Sequence, residues 1–410
     1  MTDSLCVAVQ WPRLGPYHLA RLRAAHAHFA ARGAEVVAVE TAGRDTTYAW
    51  REEAAAEPFR RVQVFPDAAA EALAPSAVAV GIADALDRLD PAAVAVNSYA
   101  GPDALAALAW CRRRRRAAIC MTDSTSGDAP RTAVREWVKG RIVREFDAAL
   151  VAGTRTAAYV GALGVPAARV FTPYDVVDNA LFAAPGPPRP DLPGLAGARP
   201  FFLASNRFVA RKNVGGLLRA YARFREGGGA WRLVLLGDGT ERGALESLVR
   251  EYAIPDVTFA GFQQIEALPA YYAAAGAFVH PAVVDQWGLV VNEAMAAGCP
   301  VVVSERAGAS ADLVLDGATG FRFDPTDDAA LATLLARVAA MPDAERTAMG
   351  RRAQAHVASW SPEAFAAGLW HAVATARAAP ARGPSPVAWA LMRAQRAAAR
   401  RSDSFHAIRE

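Results

Sequence analysis

Asp285-Gln-Trp-Gly-Leu-Val-Val-Asn-Glu293-Ala-Met-Ala-Ala-Gly-Cys-Pro300, running straight into Val301-Val302-Val303, sets the architecture of this chain. Gly288 and Leu289 open a helix, Gly298 to Pro300 ends it, and Val301 to Ser304 is a strand, apolar through Val303. Such a strand belongs in a parallel sheet covered by helices. The helix start leaves backbone N–H groups unpaired, which suits an anion. Glu293, inside the helix, can turn toward whatever the helix end binds. A carboxylate there would repel a phosphate but suits the two hydroxyls of a ribose. Asp285, just ahead of the helix, could take a sugar hydroxyl. A capped helix with solvent-facing acids is the plainer alternative.

Outward from this stretch the strand–helix rhythm continues. Upstream, strands are expected at Phe201 to Ala204, Leu233 to Leu236, Val257 to Ala260 and Ala277 to Val279, with a helix over Val214 to Phe224. Arg207, Arg211 and Lys212 follow the first of these strands and lead into that helix. Arg supplies a fork and Lys a point charge, a pairing suited to a diphosphate, although a solvated basic loop has the same composition. The first half repeats the pattern: a strand at Val7 to Val9, a loop from Gln10 to Gly15, a helix from Tyr17 to Ala31 and a strand at Glu35 to Val39. Further strands are expected at Ala93 to Val96, Ala117 to Cys120 and Ala148 to Val151.

The fold class is therefore α/β, with two doubly wound Rossmann-like domains facing across a cleft. The expected boundaries are 1–182 for an N-terminal domain, 183–200 for a Pro/Gly-rich linker, 201–359 for a C-terminal domain and 360–410 for C-terminal helices crossing back. In such sheets ligands sit beyond the carboxyl ends of the strands.

Composition narrows the classes. Of 410 residues 53% are hydrophobic and 21% charged, which excludes a disordered or fibrous chain. Lys and Arg exceed Asp and Glu by 45 to 41, a balance too mild to call for nucleic acid. No charged leader or spanning apolar run is visible, and Cys6, Cys111, Cys120 and Cys299 lack metal or disulfide spacing. A cytoplasmic location is expected.

From Asn206 to about Pro325 the chain resembles the nucleotide-sugar domain of the family-4 retaining glycosyltransferases, which have the GT-B fold. Asn206-Arg207-Phe208 and Lys212 stand where that family has Gly-Arg-Leu and a Lys. Gly237-Asp238-Gly239, Phe259-Ala260-Gly261 and the Gly308 to Gly320 loop match its glycine-marked turns, and Asp285-x7-Glu293 matches its Glu-x7-Glu signature. The first half is similar more loosely, through the Gly15 loop, Val176 to Phe182 and Trp360-Ser361.

The resemblance implies a hexosyltransferase-type enzyme. It would move a sugar from a nucleoside diphosphate sugar, a UDP-sugar in the first place, to a hydroxyl of a small-molecule, natural-product or glycan acceptor. Configuration would be retained, and no cofactor or metal would be required. It further implies that Arg207, Lys212 and Asp285 are catalytic and that Gly15, Gly237, Phe262, Gly288, Leu289, Val290 and Glu293 join them in binding the donor. Two departures stand out: Asp285 replaces the usual Glu, and Met121-Thr122-Asp123-Ser124 replaces a segment that often carries His.

His18, Tyr99 and Asp123 are acceptor-side candidates, with a surface helix-start His, a core aromatic and a helix or turn cap as their respective alternatives. The run Arg112 to Arg116 offers weak contact with an anionic membrane surface, a polyphosphate or a partner, or is a solvated helix end. A non-catalytic nucleotide-sugar-binding subunit and another GT-B enzyme, such as a sugar-nucleotide epimerase, remain the competing functions.

Overall fold

The computed structural model describes residues 5–44, 50, 56–184, 189–197, 199–381, 383 and 385–398. Packing divides the chain into two units, Met1–Val176 with Pro362–Arg409, and Val177–Ser361. The segment 177–182, expected with the first domain, thus groups with the second unit. There Phe182 meets Tyr272 edge-on at 5.8 Å and Asn179 Nδ2 donates to the carbonyls of Val357 and Trp360. Parts of the expected linker lie outside the described residues, as do Arg400 and Arg401 at the end of the C-terminal segment.

In the first unit, strands β1 (Leu5–Trp11), β2 (Ala34–Arg44), β3 (Arg60–Ala69), β4 (Ala93–Asn97), β5 (Ala117–Thr122), β6 (Ala148–Val151) and β7 (Val170–Phe171) form one sheet. Its order is β3-β2-β1-β4-β5-β6-β7, and every pairing is parallel. The apolar runs of β4 and β6 are buried because helices pack on the sheet, among them Pro362–Ala378 on β4 to β7. Since β2 and β4 flank β1, the strand order reverses between β1 and β4, and the loops after these strands lie at the switch point.

The second unit repeats the plan with β8 (Phe201–Ser205), β9 (Arg232–Leu236), β10 (Val257–Gly261), β11 (Ala277–His280), β12 (Val301–Ser304) and β13 (Gly320–Phe323). Its order is β10-β9-β8-β11-β12-β13, again all parallel. Its switch point lies between β8 and β11, the strands whose exits carry the basic cluster and Asp285.

The Arg112 to Arg116 run is not the uniform surface strip expected. Arg112 is 2% exposed and forks onto Asp147, which also accepts the Ala118 N–H at 2.9 Å. Arg112 is therefore interior and cannot reach a membrane surface. Arg113 stacks over Trp389, while Arg114 and Arg116 pair with Asp87 and Asp90. No helix among the described residues is long and apolar enough to cross a membrane. The four cysteines are free, and burial pushes the Cys111 and Cys299 thiols up to about 12.

Candidate functional site

The loop leaving β8 is held by its own backbone. Asn206 N–H donates to the Leu236 carbonyl and Phe208 N–H to that of Asp238, while the Phe208 ring is buried beneath. The close approach requires glycine at Gly237: its φ is +120°, and a Cβ would sit 1.8 Å from the Asn206 carbonyl oxygen. Gly237 N–H donates in turn to the Gly261 carbonyl, which brings half-buried Phe262 beside the same turn. The Arg211 carbonyl accepts the N–H groups of Val283 and Val284 at 2.9 and 3.2 Å, so the loop after β8 is stitched to the loop after β11.

That stitching places Lys212 on Asp285. Lys212 Nζ lies 2.5 Å from Asp285 Oδ2, and His280 Nε2, from the last residue of β11, lies 2.8 Å from the same oxygen. Burial would raise the Asp285 carboxyl, but the Lys212 ammonium and the His280 hydrogen bond outweigh it and hold the group well below the usual carboxylate range. His280 is fully buried and burial lowers its pKa, so its ring is neutral at physiological pH. An ionised Asp285 oxygen can only accept, which assigns the proton to Nε2 and leaves Nδ1 without a hydrogen-bond partner among the described residues. Gly288, at φ +98°, caps the helix Leu289–Ala296. A Cβ there would lie 3.2 Å from both Asp285 Oδ2 and His280 Nε2. The amides of Leu289 and Val290 open this helix without intrahelical partners.

Glu293, one turn further in, is 1% exposed and accepts a 2.6 Å hydrogen bond from the Tyr272 hydroxyl. It is thus not the solvent-facing acid of the plainer alternative. Trp287 Nε1 donates to Asn292 Oδ1 at 2.8 Å, which fixes the entry to the helix. Tyr272→Phe should weaken nucleoside diphosphate binding about fivefold, the equivalent of ~1 kcal/mol, with little change in Tm. Calorimetry beside a thermal melt checks this, and unchanged affinity would detach Glu293 from the nucleotide.

In the first unit, Gly15 caps the helix Pro16–Ala30, and its N–H donates to His18 Nδ1 at 3.0 Å. Burial, helped by Arg21, pushes His18 down to about 3, so the ring is neutral, a poor base, and carries its proton on Nε2. The loop is anchored by buried Glu40, which accepts the Leu14 N–H at 2.7 Å and is gripped by Arg61 and Gln63. Asp123, half-buried at the end of β5, has its carbonyl bonded by Thr156. Tyr99 is 4% exposed within the hydrophobic core, so its ring packs rather than walls a ligand site.

The structure thus places Arg207, Lys212, Gly237, Phe262, Asp285, Gly288 to Val290 and Glu293 in one unit, and Gly15, His18 and Asp123 in the other. Three residues escaped the sequence reading as site members. Tyr272 and His280 sit inside apolar elements, and Asn206 was noted only as a substitute for Gly. Both ends of the Asn206 side-chain amide are buried without a partner among the described residues, an arrangement that suits a ligand's polar group.

Residues 18–175 match the Glycosyl transferase 4-like domain and residues 193–356 match Glycosyl transferases group 1. The chain belongs to the family-4 glycosyltransferases. It is 32% identical over 280 residues to a D-inositol 3-phosphate glycosyltransferase of Nocardia farcinica, a match covering 62% of this chain and 60% of that protein. It is 32% identical over 154 residues to a GDP-mannose-dependent alpha-(1-6)-phosphatidylinositol monomannoside mannosyltransferase of Mycolicibacterium smegmatis, covering 36% and 40%. The chain therefore spans less than two thirds of either relative. A sucrose-phosphate synthase structure from Thermosynechococcus elongatus superposes with a TM-score of 0.71 at 22% identity, covering 92% of this chain and 100% of that one. This family member shares the GT-B fold with it.

Proposed function

We propose that this family-4 glycosyltransferase moves a sugar from a nucleoside diphosphate sugar to an acceptor hydroxyl with retention of configuration. The observation that carries the reading is the Lys212–Asp285–His280 cluster at the start of the helix Leu289–Ala296. Positive charge and free amides stand there beside a sugar-binding carboxylate. When the glycosidic bond to the diphosphate breaks, negative charge grows on the leaving oxygen. Arg207, Lys212 and the helix-start amides would stabilise it, and the buried Glu293 would take the ribose hydroxyls. In front-face attack the leaving phosphate accepts the acceptor's proton, so no protein base is needed.

A UDP-sugar is the expected donor and a small polyol, natural-product core or glycan the expected acceptor. Because one relative is named as GDP-mannose-dependent, the deciding experiment gives the protein UDP-, GDP- and dTDP-sugars side by side. Hydrolysis and transfer are followed by mass spectrometry. Tight nucleotide binding with neither product would make the chain a binding subunit. With Arg207 and Lys212 serving the diphosphate, we expect transfer to survive EDTA; complete loss restored by Mg²⁺ or Mn²⁺ would refute that part.

A further inference from the structure

Apart from the donor residues, the first unit holds a cavity of about 190 Å³ lined by Arg112, Arg115, Arg116, Arg377 and Asp147. This is several times the ~30 Å³ share of a water molecule. Ala92 and Ala117, which also line it, stand at the amino ends of β4 and β5. The cavity therefore lies at the sheet edge opposite the loops that carry Gly15 and Asp123.

The charge in it is unbalanced. The single carboxylate, Asp147, is already gripped by both Nη groups of Arg112. Arg116 Nη2 is bound to Asp90, but its Nε and that of Arg112 are buried with no partner among the described residues. Arg115 and Arg377 are exposed, and no hydrogen bond or ion pair among the described residues engages their side chains. A helix C-terminus draws cations unaided, and Pro102–Arg114 and Pro362–Ala378 both end here. That accounts for an arginine at each helix end. It does not account for four guanidinium groups around one cavity, two of them with buried, unsatisfied donors, because like charges brought together repel.

We propose that this cavity is a second anion site, taking a phosphate-bearing ligand of at least two negative charges. Arginine forks suit phosphate oxygens, and such a ligand would satisfy the idle donors while neutralising the cluster. The site is separate from donor binding: it shares no residue with the second unit.

Titration calorimetry of the full chain with pyrophosphate at physiological salt tests it, using two double variants. R207A/K212A removes the donor-side cations. R115N/R377Q removes the two unengaged arginines, and Asn tolerates the left-handed backbone of Arg115 (φ 54°). Binding should persist in R207A/K212A and weaken at least about tenfold when R115N/R377Q is added to it, while the Tm of R115N/R377Q alone should match the wild type. Phosphatidylcholine vesicles doped with phosphatidic acid, whose phosphate monoester can carry two negative charges, form the second arm. Loss of vesicle binding in R115N/R377Q, without pyrophosphate binding by R207A/K212A, identifies a lipid phosphate as the source and upholds the site. If adding R115N/R377Q changes neither the pyrophosphate binding of R207A/K212A nor the vesicle binding, the proposal is overturned. The same holds if R207A/K212A binds no pyrophosphate and the wild type binds no vesicles.

Discussion

Lys212→Ala should lower kcat by about 10²–10³-fold, because one side chain is lost from two tasks. In the proposed reaction the ammonium stabilises charge on the leaving diphosphate, a contribution that grows toward the transition state and so appears in kcat. It is also the nearest positive charge to Asp285, at 2.5 Å. Without it, burial acts on the Asp285 carboxyl opposed only by the His280 hydrogen bond, so its pKa rises. The sign is definite. In the wild type the group's folded pKa lies below its unfolded value, so its stabilising contribution is fully present above about pH 4 and is lost only in strong acid. In the variant that loss moves to higher pH, and the acid limb of the rate profile moves with it. Steady-state rates across pH, with Arg207→Ala in parallel, provide the check. Arg207→Ala should lose rate without shifting the limb. Near-native turnover in Lys212→Ala would end the diphosphate assignment, and an unmoved acid limb would show that Lys212 does not set the state of Asp285.

The parts of this arrangement that were legible in the sequence are those whose physics is local. Parallel strands buried on both faces must be apolar throughout, so Ala93 to Val96 and Ala148 to Val151 announce themselves. β3 does not: its Arg60, Arg61 and Asp67 are exposed, Pro66 interrupts it, and it lies at the sheet edge, where neither apolar continuity nor a full ladder is required. β7 is too short to leave a pattern. Gly237 was readable because a turn after a strand needs glycine. What it makes room for, the Asn206 carbonyl, was not.

The pairings that shape the two candidate sites join distant positions. Lys212 meets Asp285 across 73 residues and Arg112 meets Asp147 across 35, and no local rule anticipates either. The second pairing separates Arg112 from a run in which it looks like its four neighbours. His280 did leave a trace, a polar ring in the otherwise apolar strand Ala-Phe-Val-His, five residues before Asp285. A buried imidazole needs a partner, and a short acid is the nearest available in sequence.

That imidazole bears on the Asp-for-Glu departure and on the last expected result. Asp285 is one methylene shorter than Glu, and its Oδ2 is occupied by both Lys212 and His280. Asp285→Asn keeps the volume but removes the charge-assisted acceptor, worth ~1.5–3 kcal/mol, so turnover with the full nucleotide sugar should fall roughly ten- to a hundred-fold. Nucleoside diphosphate binding should not fall with it. Losing the carboxylate releases the Lys212 ammonium toward the diphosphate, so affinity should hold or rise severalfold. Glu293→Gln should show the reverse split. The buried carboxylate that Tyr272 supports would no longer offer a charged acceptor to the ribose, and nucleotide affinity itself would drop. His280→Asn separates position from charge. It leaves Asp285 and Lys212 in place but removes the 2.8 Å tether, so kcat should fall while KM for the donor stays close to wild type. Calorimetry with the nucleoside diphosphate, set beside turnover for the three variants, distinguishes these roles. If Asp285→Asn weakens nucleotide binding as much as Glu293→Gln does, the two acids do not divide sugar and ribose between them.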